Sequence, residues 1–159
     1  FNQKYWRTTD YAVKWRPVFF DLDFAYKTAA RDMIGQYFNA NGVPSADGSL
    51  TYFEIYIGLK QNAAWREYCV DRYVQVVEQY FNAERATALF DQMVAAIRPE
   101  MPRQIERWGK PSSMSAWEES VAQMRSFIEQ RPDYALENMR EYFGVSQEKL
   151  DELIAKYKQ

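Results

Sequence analysis

From about Leu50 to Tyr157, apolar residues return every three or four positions, the spacing that an α-helix gathers onto one face. Leu50, Phe53, Ile57 and Leu59 begin the pattern on a short helix. Trp65, Cys69, Tyr73, Val76 and Tyr80 form a second stripe, and Ala86, Leu89, Phe90, Met93 and Ile97 a third. Trp117, Val121, Met124 and Ile128 make a fourth, Leu136, Met139 and Phe143 a fifth, and Leu150, Leu153, Ile154 and Tyr157 a last. Asn82 and Ser146 stand where N-caps belong, and Ser115 to Glu118 has capping-box spacing. Gly144 suits a helix C-terminus. Pro132 lacks an amide donor, so Arg131-Pro132 is expected to end one helix and start another. Pro99 and Pro102 bracket Glu100-Met101, ahead of a short basic turn or helix over Arg103 to Gly109.

The first part of the chain follows a different rule. Lys4 to Arg7 and Trp15 to Phe20 read as two strands of a hairpin, with Thr8-Thr-Asp10 as its polar turn and Asp10 in a structural role. Val18, Phe19 and Phe20 suit a short buried strand, which ends abruptly in Asp21-Leu-Asp23. Phe24 to Gly35 is of mixed character, a weak helix, and Asn39 to Ser49 has the composition of a loop. The expected fold class is mostly α: a two-stranded β-hairpin followed by about six helices. It forms one domain over residues 1–159, with the hairpin at 1–24 and a helical region at 50–159.

Composition removes several kinds of chemistry. The 159 residues include no histidine and a single cysteine, Cys69. Ser-His and Cys-His catalysis, His-ligated zinc and an internal disulfide are therefore excluded. Cys69 lies in a helical apolar pattern and is expected to be a buried thiol. The net charge of −2 gives no general field for nucleic acid or an anionic membrane. No run approaches the ~20 apolar residues of a membrane span. The six glycines form no cluster, so a Gly-rich phosphate loop is missing from these residues.

Two carboxylates at the end of an apolar strand need a positive partner. Strand geometry puts Asp21 and Asp23 on one face, where they offer oxygens to Mg²⁺ or Mn²⁺. The competing reading is structural: Asp23 caps the following helix and Asp21 pairs with Arg7 or Arg16. A second charged cluster, Arg98, Arg103 and Arg107, is placed to grip a phosphate or an acidic partner. Glu100 and Glu106 are interleaved with it, so mutual pairing is the simpler expectation.

Several stretches together resemble the kinase-like domain of the spore coat protein CotH family. They are Asn2-Gln-Lys-Tyr-Trp-Arg7, Lys14-Trp-Arg16, Phe20-Asp-Leu-Asp-Phe24, Trp65-Arg-Glu-Tyr68, Asp71-Arg-Tyr73 and Ile97-Arg-Pro-Glu-Met-Pro102. Arg107-Trp-Gly109, Ser115-Ala-Trp-Glu118, Gln130-Arg-Pro-Asp-Tyr134 and Tyr142-Phe-Gly144 follow in the family's order. The resemblance implies an atypical protein kinase that transfers phosphate from ATP to protein side chains, a coat or surface protein being a suitable acceptor. It implies that Asp21 holds the Mg²⁺ that bridges the nucleotide phosphates, that Asp23 serves the same or a second ion, and that Asn2 is the metal-binding asparagine of the catalytic loop. It also implies that the catalytic-loop aspartate, the phosphate-covering loop and the strand lysine precede Phe1. The chain is then the C-terminal part of the domain, inactive alone, in a bacterial spore-coat or envelope setting. Two other functions stay open: a non-catalytic helical interaction module or pseudokinase, and a surface or secreted carbohydrate-binding protein.

Overall fold

The computed structural model describes residues 4–18, 20, 23–26, 28–38 and 52–158. Two short strands, β1 (Lys4–Trp6) and β2 (Arg16–Val18), pair antiparallel with Tyr5 opposite Pro17. A 3-10 turn (Asp23–Tyr26) and α1 (Met33–Phe38) follow, then α2 (Tyr52–Leu59), α3 (Ala63–Tyr80) and α4 (Ala83–Ile97). A second 3-10 turn (Arg98–Glu100) leads into α5 (Met101–Trp108), α6 (Met114–Phe143) and α7 (Gln147–Tyr157). The fold is mostly helical, a hairpin followed by helices, as the periodicity and turn signals required. No helix of the described residues is long and apolar enough to cross a membrane.

Helix α6 is the spine. Its 30 residues span about 45 Å at the α-helical rise. The first half packs along α4, and the second half meets α1 and α3, with α7 packed on α3. The core lies around the second half, where Leu136 and Met139 meet Val70, Val74 and Val77 of α3 and Leu150 and Leu153 of α7. Val74 and Met139 are completely buried, at 0% exposure each. Burying each such side chain stabilises the fold by about 1.5–3 kcal/mol.

Several helix signals hold as expected. Asn82 accepts a hydrogen bond from the Arg85 amide at 2.8 Å, and Ser146 accepts from Lys149 at 3.2 Å. Gly144 has φ +65° at the end of α6, the left-handed position that glycine fills without strain. Asp10 stays structural, its Oδ1 accepting from the Ala12 amide at 3.0 Å. The Arg cluster is paired or stacked: Arg98 with Glu118 at 2.6 Å, Arg103 with Glu100 at 3.0 Å, and Arg107 over the Trp108 ring.

Other expectations are corrected. Pro132 does not break the chain into two helices; α6 runs through it, with Trp117 buried on one side of it and Ala135, Leu136 and Met139 on the other. The N-cap of α6 is Ser113, whose hydroxyl accepts from the Ala116 amide at 3.1 Å, two residues ahead of the capping-box spacing. The hairpin connection is longer than Thr8 to Asp10, running from Arg7 to Trp15, and β2 is exposed rather than buried. The mixed stretch from Phe24 to Gly35 divides into the 3-10 turn and the start of α1. Leu50 lies outside the described residues, as does the Asn39 to Ser49 loop.

The two largest corrections concern helix faces. On α3 the buried row is Val70, Val74 and Val77, whereas Tyr80 is exposed and Cys69 only half-buried. Trp65 and Tyr73 sit at the margin, where large amphipathic rings often settle. On α4, Leu89, Met93 and Ile97 are 58%, 60% and 50% exposed. The side facing α6 instead carries buried Thr87 and half-buried Phe90 and Val94, with Asp91 paired to Arg125 at 2.9 Å. Of the expected face of α4, Ala86 and Phe90 are half-buried, whereas Leu89, Met93 and Ile97 turn to solvent.

The last helix is joined to α3 by a polar tie as well. Asp71 accepts from the Lys156 ammonium at 2.6 Å and from the Tyr157 hydroxyl at 2.6 Å. Lys156, and after it Tyr157, hold the Asp71 carboxyl below its ordinary value, and Lys156 is pushed up to about 12, chiefly by Asp71. A carboxyl lowered in the folded state stabilises above its unfolded pKa of about 3.9 and loses that contribution as pH falls through the folded value. A raised lysine stabilises below about 10.4 and loses it as pH rises through its folded value.

Two outcomes follow from this packing. Met139→Ala is expected to cost about 2–5 kcal/mol in urea unfolding, and Leu89→Ala no more than about 0.5 kcal/mol. Equal losses would contradict the assigned faces. Asp71→Asn lowers the urea midpoint at about pH 7, and the gap to the unmodified chain narrows toward about pH 3 as its carboxyl protonates. A gap that is constant or widens in acid would remove the Asp71–Lys156 tie from the account.

Candidate functional site

The stretch expected to carry chemistry follows β2. Three cation–ring contacts stiffen the hairpin that leads into it. The Arg7 guanidinium lies 3.7 Å from the Tyr11 ring centroid and 4.6 Å from that of Trp15. The Lys4 ammonium is 5.5 Å from the ring of Phe20, the residue before Asp21.

Asn2 and Asp21 lie outside the described residues. Asp23 is placed by its backbone, as the first residue of the 3-10 turn. Among the described residues no group of three or more His, Cys, Asp or Glu side chains is arranged to hold a metal ion.

What the structure describes in detail is how the segment after Asp23 is seated on α6. Tyr26 meets Phe127 edge to face, with ring centroids 5.5 Å apart. Arg131 Nη1 donates to the carbonyl of Ala29 at 2.6 Å and to that of Arg31 at 2.8 Å. Two helical turns on, Asn138 Nδ2 donates to the same Arg31 carbonyl at 3.3 Å. Asp32 then opens α1, its Oδ1 accepting from the Gly35 amide at 2.7 Å. A Cβ on Gly35 would fall 1.9 Å from Asp32 Oδ2, so this cap and any larger residue there exclude each other.

Between this segment, α3 and α6 lies a cavity of about 490 Å³, mostly apolar, with Tyr26, Met33, Tyr73 and Phe127 in its wall and Arg31 and Arg131 at its polar edge. Burial raises the Tyr73 phenol above its ordinary value; Arg131 opposes the shift and Asp32 adds to it. Tyr73 therefore stays neutral at physiological pH and serves as part of the cavity wall, not as a base.

Sequence reasoning missed Arg131 and Asn138. Arg131 was in view, beside Pro132, where the proline drew the reading toward a helix end. No local pattern announces a contact to residues about a hundred positions away.

Comparison with known proteins adds one match. The family model described as CotH kinase protein matches residues 1–135, which takes in the hairpin, the 3-10 turn, α1 to α5 and most of α6. No curated protein and no solved structure matches the chain. With that share of its 159 residues covered, the chain belongs to the CotH kinase protein family.

Proposed function

We propose that this chain is the C-terminal, mostly helical part of an atypical protein kinase that transfers phosphate from Mg-ATP to protein side chains. The observation that carries the reading is the family match over residues 1–135, which takes in Asp21-Leu-Asp23 and the hairpin leading to it. In the proposal Asp21 and Asn2 supply oxygen ligands for Mg²⁺ or Mn²⁺, with Asp23 on the same or a second ion. A chain without histidine and with one cysteine offers only oxygen donors in number, which suits a hard divalent cation. The ion's part is to neutralise charge on the nucleotide phosphates.

The role of the protein's own residues is positioning. Phosphoryl transfer asks little covalent chemistry of a kinase and depends on holding nucleotide and acceptor in line. The 159 residues contain no glycine cluster to cover phosphates. In this reading the nucleotide clamp, the strand lysine and the catalytic-loop aspartate belong to sequence upstream of Phe1. The acceptor is a coat or surface protein, in a spore-coat or bacterial envelope setting.

A second reading has one observation in its favour. Leu89, Met93 and Ile97 present an exposed apolar stripe on α4, the kind of surface a non-catalytic docking module or pseudokinase uses.

The two are separated by phosphotransfer from labelled ATP to a protein acceptor. The full-length parent is expected to transfer phosphate with Mg²⁺, to lose at least ~100-fold on Asp21→Asn by the scale of a lost transition-state interaction, and the 159-residue chain to transfer none. An Asp21→Asn parent with undiminished activity would remove Asp21 from the site. A parent without activity would favour docking.

A further inference from the structure

We propose that Arg131 is a positioning residue, a latch that seats the 3-10 turn and α1 on the spine helix and so sets where Asp23, at the head of that turn, lies. Its use in catalysis rests on the kinase reading above; its use as a latch does not. The argument begins with what holds the first 38 residues to the helical body. Three side-chain hydrogen bonds cross from α6 to this segment and end on two backbone carbonyls, those of Ala29 and Arg31.

A carbonyl is a fixed point of the chain, so bonding two of them from a single nitrogen fixes the local path as well as the distance. The donor is charged and half-buried, and charge-assisted bonds of this kind are about twice as strong as neutral ones. Arg131 follows Phe127 by four residues, so one face of α6 presents both the ring that meets Tyr26 and the guanidinium that holds Ala29. Asn138 continues that face by two turns. Pro132 fits the same picture: α6 keeps a residue without an amide donor beside the latch, in the wall of the cavity beneath the turn.

The latch differs in kind from the other arginine ties of α6. Arg125 pairs with Asp91 and Glu129 at the surface, where ion pairs contribute little. Arg131 holds backbone, and its loss takes a donor from two carbonyls of a partly covered turn, with Asn138 still bonded to that of Arg31.

The test compares Arg131→Ala, Arg131→Lys and, as a control, Arg125→Ala. Hydrogen exchange in the 159-residue chain reads the latch through the amides of Arg31 and Gly35, whose acceptors are the Thr28 carbonyl and the Asp32 carboxylate. Arg131→Ala is expected to speed exchange at residues 28–35 on the order of tenfold or more, with the amides of Val74 and Leu153 unchanged. Arg131→Lys should recover part of the protection, and Arg125→Ala should leave it intact. Unchanged exchange at 28–35, or equal acceleration in the α3–α7 core, overturns the latch.

In the full-length parent with Mg-ATP, Arg131→Ala is expected to lower kcat on the order of tenfold with little change in the acceptor KM, again partly restored by lysine. A normal kcat would overturn the positioning role even if exchange supports the latch. A parent that never transfers phosphate would overturn the kinase reading, and with it the catalytic use of Arg131, while the exchange result alone decides the latch.

Discussion

Everything in this fold depends on the burial of Met139 against Val74. Among the described residues these two side chains are completely buried, and they join the second half of α6 to the middle of α3. Around them Leu136, Val70, Val77, Leu150 and Leu153 close a core drawn from three helices far apart in sequence. Interiors packed at this density resist small changes in volume, so the directions of α3, α6 and α7 are fixed together. Since the family match ends at residue 135, Leu136 and Met139 of α6 and both buried leucines of α7 lie beyond it. The matched part and the residues after it share one hydrophobic core.

The N-terminal segment is attached by a different kind of force. Ile34 packs against the core, but polar groups define the path of residues 29–31: a guanidinium and an amide on α6, holding main-chain oxygens. A hydrophobic contact is non-directional and tolerates sliding, whereas a donor aimed at a carbonyl loses strength steeply with misalignment. That division suits a protein whose chemistry is proposed to depend on where an aspartate sits. The helices supply stability, and Arg131 supplies location.

Much of this was legible in the residues. The helical class, the hairpin, the caps at Asn82 and Ser146, the Gly144 terminus and the whole buried face of α7 follow from local rules that the structure obeys. The failures share one cause, that periodicity says a face is apolar without saying what covers it. On α4 the more apolar side stays in solvent because α6 meets the side with Thr87, Phe90 and Val94. On α3 large aromatics outweighed three valines that are the better fit to a tight core. At Pro132 a sound local preference was overruled by burial on both sides of it. Of the candidate site residues, Asp23 is placed by its backbone at the head of a turn, and Asn2 and Asp21 fall outside the described residues. Arg131 and Asn138 were not legible as site neighbours at all, since their partners are backbone atoms a hundred positions earlier.

The central claim is that this helical body serves a site at the end of the hairpin that takes a divalent cation and a nucleotide. A ligand that binds only the folded state raises the melting temperature, the more so the further its concentration exceeds its Kd. The most direct measurement is therefore the melting temperature of the full-length parent with Mg-ATP, with ATP alone and with oligosaccharides, repeated for Asp21→Asn. The account predicts a rise with Mg-ATP that needs the metal and disappears in Asp21→Asn. A rise that survives that substitution, or one produced by oligosaccharides and not by Mg-ATP, would contradict it.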